Sequence, residues 1–198
     1  MATPGTNLSV VFSNISVSAV CLWAACHSFQ EHRGAAAGFF LQGLASILAS
    51  GCFLAPTLLH SDDDSFLSSA SWSATTIGLP LLAFSFFWIN GDHSTANMIL
   101  SAALLLSASW DYMTPESRTF AAHASYVVSS LGILMVSIFT GNGYGVLGSL
   151  GLGTAGLLSS LKAEKILPVP LELTMNCLHA TSFLSFSVAL RNHQSDIQ

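Results

Sequence analysis

The chain alternates long apolar runs with short polar breaks. Runs near the ~20 residues that a bilayer core asks of a helix fall at 7–28, 35–59, 70–90, 94–111, 115–140, 143–161 and 170–190. The breaks carry turn and loop chemistry: Gln30-Glu31-His32-Arg33-Gly34, the longer 60–69 segment, Gly91-Asp92-His93, Gly141-Asn142-Gly143 and Lys162-Ala163-Glu164-Lys165. The central pair of runs is joined at Trp110-Asp111-Tyr112-Met113-Thr114-Pro115-Glu116. Thr114 suits a helix N-cap, Pro115 the first helical position and Glu116 the positive end of the helix dipole. So short a turn predicts antiparallel helices lying side by side. The pattern predicts an all-α polytopic integral membrane protein, a seven-helix transmembrane bundle with its two ends on opposite faces.

Composition points the same way. The 198 residues are 52% hydrophobic and 8% charged, against roughly 25% charged in soluble domains. A single transmembrane domain over 1–198 is expected, with the lipid bilayer as its main partner. The net charge of −5 is spread over loops, and no basic patch invites nucleic acid. Cys21, Cys26, Cys52 and Cys177 lie in apolar runs without metal-binding spacing, so they read as free thiols. Sequons at Asn7 and Asn14 sit at or inside the first span, out of reach of the modifying enzyme. Asp62-Asp63-Asp64 beside His60 reads as a solvated acidic loop rather than a cation site, because adjacent side chains diverge. No metal and no cofactor is expected.

Some polar and small residues inside the spans have a pattern of their own. Gln42, Ser46 and Ser50 share a face that should turn inward to hydrogen-bond neighbours. Gly78 and Pro80 should kink the third span, and Trp72 and Trp88 stand near its ends like interfacial anchors. Gly141, Gly145, Ser149 and Gly153 recur every four residues as a helix-packing stripe, and Gly148, Gly151 and Gly156 thin the other side. Small residues at this spacing let backbones approach closely. Internal packing is the plainer reading, and a dimer or partner face the sharper one.

The candidate chemistry lies in one half of the membrane. Asp111 sits at the central turn, and His123 lies about 12 Å below Pro115 at 1.5 Å per residue. Glu172, Asn176 and His179 share one face of the last span at i, i+4 and i+7. Asn14, Ser101, Ser107 and Ser109 stand at comparable depth. Ionisable groups within spans are costly and normally face the interior or water, so Asp111, His123, Glu172, Asn176 and His179 form a candidate polar cavity. Plainer readings stand beside it. Asp111 is a solvated turn residue, Glu172 a dipole partner, and each His is satisfied by one neighbour.

The opening residues 1–53, with Ala19-Val20-Cys21-Leu22-Trp23-Ala24-Ala25-Cys26-His27-Ser28-Phe29 and Gly34-Ala35-Ala36-Ala37-Gly38-Phe39-Phe40, resemble the vertebrate family transmembrane protein 276. The resemblance implies a multi-pass membrane protein of unassigned activity and carries no functional residues. Alkaline ceramidases share the span count but need an HxxxH pair in the last span, where His179 is followed by Phe183. Lysoplasmalogenase-like proteins pair an acidic residue with a helical His and Tyr. Asp111, His123 and Tyr126 have a different spacing, and the second acidic motif is missing. The expected function is therefore that of a subunit, assembly factor or scaffold in an internal membrane, with a membrane-protein partner, the N-terminus lumenal or outside. The alternatives are an intramembrane lipid-processing enzyme, or a small transporter moving at Gly78-Pro80.

Overall fold

The computed structural model describes residues 4–54, 63–160, 165–166 and 169–195, with side chains over 8–51, 68–160 and 171–192. The described chain is helical throughout, save for a two-residue antiparallel ladder pairing Lys165–Ile166 with Val169–Pro170. Helix α1 spans Pro4–Ser28 and α2 Arg33–Leu54. Helix α3 (Asp63–Ser73) runs through a π turn (Ala74–Gly78) straight into α4 (Leu79–Ile89). Then follow α5 (His93–Ala108), a 3-10 turn (Trp110–Tyr112), α6 (Pro115–Phe139), α7 (Gly143–Ser160) and α8 (Leu171–Ser195). Stretches within α1, α2, the α3–α4 unit, α6 and α8 are long and apolar enough to cross a bilayer.

Local chemistry sets the helix ends. Asp92 caps α5 by accepting the Thr95 N–H at 3.0 Å, and hydrogen bonding with Thr95 holds its exposed carboxyl below the ordinary carboxylate range. Thr114 caps α6 by accepting the Ser117 N–H at 3.3 Å. Asn142 caps α7 through the Gly145 N–H and donates to the Ala189 carbonyl, each at 3.1 Å, which ties that turn to α8. Gly141 adopts φ +68° with open space around it. Its role is to let α6 stop in a left-handed cap, so it leaves the packing stripe. The third helix begins at Asp63, earlier than its apolar run.

The helices close into a ring. Contacts run from α1 to α2, to the α3–α4 unit, to α6, α7, α8 and back to α1. One apolar core fills the ring, with Phe39, Leu82, Phe86, Ile133, Leu152 and Phe183 nearly inaccessible. Phe39 meets Phe183 edge-on at 6.2 Å, and Phe86 meets Phe186 at 5.6 Å. Helix α5 lies outside, leaning on α4 and burying fully only Ala96 and Ala103. The expectation that α5 and α6 pack side by side therefore fails: α5 packs chiefly on α4, and α6 on α7 and α4. The turn between them is filled by Trp72 of α3, whose ring lies tilted against Trp110 with centroids 4.9 Å apart and whose indole donates to the Arg118 carbonyl at 3.1 Å. Trp72 is accordingly a buried wedge and not a lipid-facing anchor, whereas Trp88 is 45% exposed.

Helix α7 fits between α6 and α8 by being small on two sides. A Cβ at Gly145 would strike the Ser137 side chain, and one at Gly148 would lie 2.6 Å from the Phe186 ring and 3.0 Å from the Ser182 carbonyl. One at Gly156 would lie 2.8 Å from Tyr126 Cβ, but one at Gly153 meets Ser130 at an ordinary 3.4 Å. Gly148→Ala should therefore cost about 1–3 kcal/mol by overpacking. Gly153→Ala should stay within about 0.5 kcal/mol of wild type. Thermal unfolding in detergent checks the order, and equal midpoints would contradict it.

The kink expected at Gly78-Pro80 takes the form of the π turn. Pro80 has no N–H for the carbonyl four residues back, and the helix widens there. Gln42 of α2 donates its side-chain amide to the Ala74 carbonyl at 2.7 Å. Backbones are close here too, since a Cβ at Gly38 would lie 2.7 Å from the Gly78 carbonyl oxygen. Of the three residues on that α2 face, Ser50 instead bonds its own helix at Ser46. Gln42→Leu should cost about 0.5–1.5 kcal/mol, the net worth of one hydrogen bond. Ser50→Ala should cost far less, and denaturant unfolding of the two variants separates them.

Candidate functional site

At the end of the bundle that holds the 110–115 turn, a cavity of about 490 Å³ opens between α3, the 3-10 turn, α6 and α7. Trp72 and Trp110 form part of its wall, with Thr75, Arg118, His123 and Tyr126 around them. Residues 115, 119, 122, 123 and 126 reach it because they share one face of α6. The Arg118 guanidinium lies 3.7 Å from the centre of the Trp110 ring, a cation–π contact, and donates to the Trp110 carbonyl at 3.0 Å. Its Nε is buried without a hydrogen-bond partner among the described residues.

The five residues expected to share one cavity are distributed over the bundle. His123 lines the cavity, its Nδ1 3.4 Å from Ser159 Oγ on α7. His179 lies behind Tyr126, whose hydroxyl is 3.2 Å from its Nε2, and its ring stacks against Tyr126 and Phe183, each at 5.8 Å. Asn176 turns to α1, donating to Ser13 Oγ and Asn14 Oδ1 at 2.8 Å each. Asn14 is thus buried and bonded within the bundle, and unsuited to glycosylation. Asp111 and Glu172 are exposed at helix ends. Ser101 is exposed, and Ser109 bonds its own helix at Leu106. The sequence reading missed Arg118 and Trp110, although a charged residue four positions after a helix cap, eight from a Trp, was the available signal.

Transmembrane protein 276 of rat is 42% identical to the chain over 172 residues, 87% of this chain and 86% of that protein. The human protein is 42% identical over 169 residues (85% and 84%), and the bovine 43% over 166 (83% and 81%). The chain belongs to the transmembrane protein 276 family. The likeness expected from the first quarter extends over most of the sequence. No family model and no solved structure matches the chain.

In this transmembrane protein 276 relative, most polar side chains inside the bundle bond a carbonyl of their own helix, and a few pair across helices, as Asn176 does with Asn14 and Tyr126 with His179. Ser159 donates to the Gly156 carbonyl at 2.7 Å, so its proton does not point to His123. That leaves the pair poorly set for nucleophilic attack, which needs the base to take the hydroxyl proton. Among the described residues no group of three His, Cys, Asp or Glu converges as a metal site. The acidic side chains 62–64 and Cys52 lie outside the described side chains, whereas Cys21 is buried, and Cys26 and Cys177 are exposed free thiols. The Tyr126–His179 contact should hold α6 to α8. A double-mutant cycle of Tyr126→Phe and His179→Asn should give a coupling of about 0.6 kcal/mol, the average for polar contacts between membrane helices. Additive effects on unfolding would mean that the contact carries no stability.

Proposed function

We propose that the protein is a non-enzymatic multi-pass component of an internal membrane, acting as a subunit, assembly factor or scaffold, with all seven helical segments crossing the bilayer. The observation that carries this reading is the filled ring. Phe39, Phe86, Phe183 and Phe186 occupy its centre, so among the described residues the middle of the ring is filled by aromatic rings and not by polar groups that would line a passage. The π turn that would serve a transporter as its moving part is tied to α2 by Gln42, which weighs against that alternative. Helices α5 and α7, of 16 and 18 residues, are about 24 and 27 Å long at 1.5 Å per residue. Such lengths match an endoplasmic reticulum bilayer of about 27 Å better than a plasma membrane of about 32 Å. The N-terminus is lumenal in this reading, because the residue flanking the first span on its far side is Arg33.

The lipid-processing alternative rests on Ser159 and His123 in the cavity. It requires Ser159→Ala to abolish turnover of a lipid while leaving folding intact. Purification in a mild detergent should instead yield a stoichiometric membrane-protein partner. A partner-free protein with lipid turnover that Ser159→Ala abolishes would overturn the proposal. For orientation, a glycosylation acceptor placed in an extended 60–69 loop should be modified and one in the C-terminal tail should not. Modification of the tail alone reverses the orientation, and modification of both contradicts the odd number of spans.

A further inference from the structure

We infer that the cavity around Arg118 binds a phosphate anion, and that its natural source is the headgroup of an anionic membrane lipid. Four observations meet there. Among the described residues Arg118 is the one Lys or Arg lining the cavity and no carboxylate lines it, while Asp111 and Glu116 nearby are exposed outside it. The guanidinium is held in place by its stack on Trp110 and its bond to the Trp110 carbonyl, so little side-chain freedom remains to be lost when a ligand arrives. Its Nε is buried and shielded from the cavity, but the one hydrogen bond the guanidinium makes, to the Trp110 carbonyl, leaves terminal N–H donors over, and a planar guanidinium is the side chain best matched to a phosphate's oxygens. The rest of the wall supplies the hydroxyls of Ser68 and Ser71 and the His123 imidazole, whereas Thr75 and Thr119 donate theirs to the Ser71 and Pro115 carbonyls.

The position favours a lipid over a soluble anion. The cavity opens where α6 begins at Pro115, the end of a span, which is headgroup depth. Phe120, adjacent to Thr119 of the wall, is 76% exposed on the outer face of α6. A lipid whose phosphate reached Arg118 would lay its chains along that face, over Phe120 and Val127, both exposed. The first turn of α6 adds its positive dipole end to the same side.

The test uses the full chain in nanodiscs of phosphatidylcholine with or without phosphatidylglycerol, followed by native mass spectrometry of the lipid retained after release into detergent. Wild type should retain one phosphatidylglycerol in preference to phosphatidylcholine. Arg118→Gln should weaken that retention roughly tenfold or more, the loss expected for one charge-assisted contact, and Arg118→Lys should keep part of it. Because Arg118 also braces the turn, Ser71→Asp provides a second variant at an exposed position. It sets a carboxylate in the cavity opposite Arg118 and should abolish the preference with the fold intact by thermal melting. Inorganic phosphate, titrated against Trp fluorescence, separates the sources. Retained phosphatidylglycerol that phosphate displaces only weakly assigns the lipid, whereas phosphate binding without any lipid preference assigns a soluble anion. Equal retention of both lipids by wild type without phosphate binding, or a preference that survives both Arg118→Gln and Ser71→Asp, overturns the site.

Discussion

The bond from Gln42 to the Ala74 carbonyl is the constraint on which the rest of this bundle hangs. In lipid an unpaired backbone carbonyl costs several kcal/mol, with no water to take it. Pro80 removes a donor from the middle of the third span, and the helix answers with a π turn at Ala74–Gly78. Helix α2 packs closely on the turn, through Gln42, which donates to the Ala74 carbonyl, and through Gly38, where only a glycine leaves room for the Gly78 backbone. A π turn inserts one residue, and one residue is about 100° of rotation. The face of α3 before the turn is thereby re-aimed relative to α4. That places Trp72 between the ends of α5 and α6, where it meets Trp110 and the Arg118 carbonyl. The cavity beside it follows from this wedge.

Serine makes the close packing elsewhere tolerable. Fifteen described polar residues are buried, nearly all of them serines. Most point back to a carbonyl of their own helix three or four residues earlier, as Ser85, Ser125, Ser149 and Ser182 do. A hydroxyl spent in this way asks nothing of the neighbouring helix and leaves a small side chain there. Ser129 and Ser137 differ, their hydroxyls buried without a partner among the described residues. Ser137 fills the space that a side chain at position 145 would need. Fit between α6 and α7, and not hydrogen bonding, accounts for that serine.

The helices were legible because their lengths and caps are local matters. Thr114, Pro115 and the Gly141-Asn142-Gly143 turn mark ends that the structure keeps within a few residues. Which helices touch was not legible. A short turn implies neighbours only if nothing enters it, and no pattern in 94–140 announces that Trp72 does. Gly141 illustrates the same gap at the scale of one residue. Its spacing matches the packing stripe, yet its positive φ belongs to a helix cap, and spacing does not distinguish the two uses of glycine.

The polar face of α8 shows why depth is easier to read than direction. Glu172, Asn176 and His179 fall within about 60° of one another on a helical projection at 100° per residue, and sequence alone makes them one group. Helix α8 packs on both α1 and α7 and faces α6 across the ring, so 60° spans more than one neighbour. Asn176 turns to Asn14 on α1, His179 to Tyr126 on α6, and Glu172 to the solvent or headgroup side. In a ring, side chains at one height meet only if their helices also aim them at the same point. Arg118 and Trp110 meet for the opposite reason: they flank a single turn, so the chain itself brings them together and Trp72 holds them there.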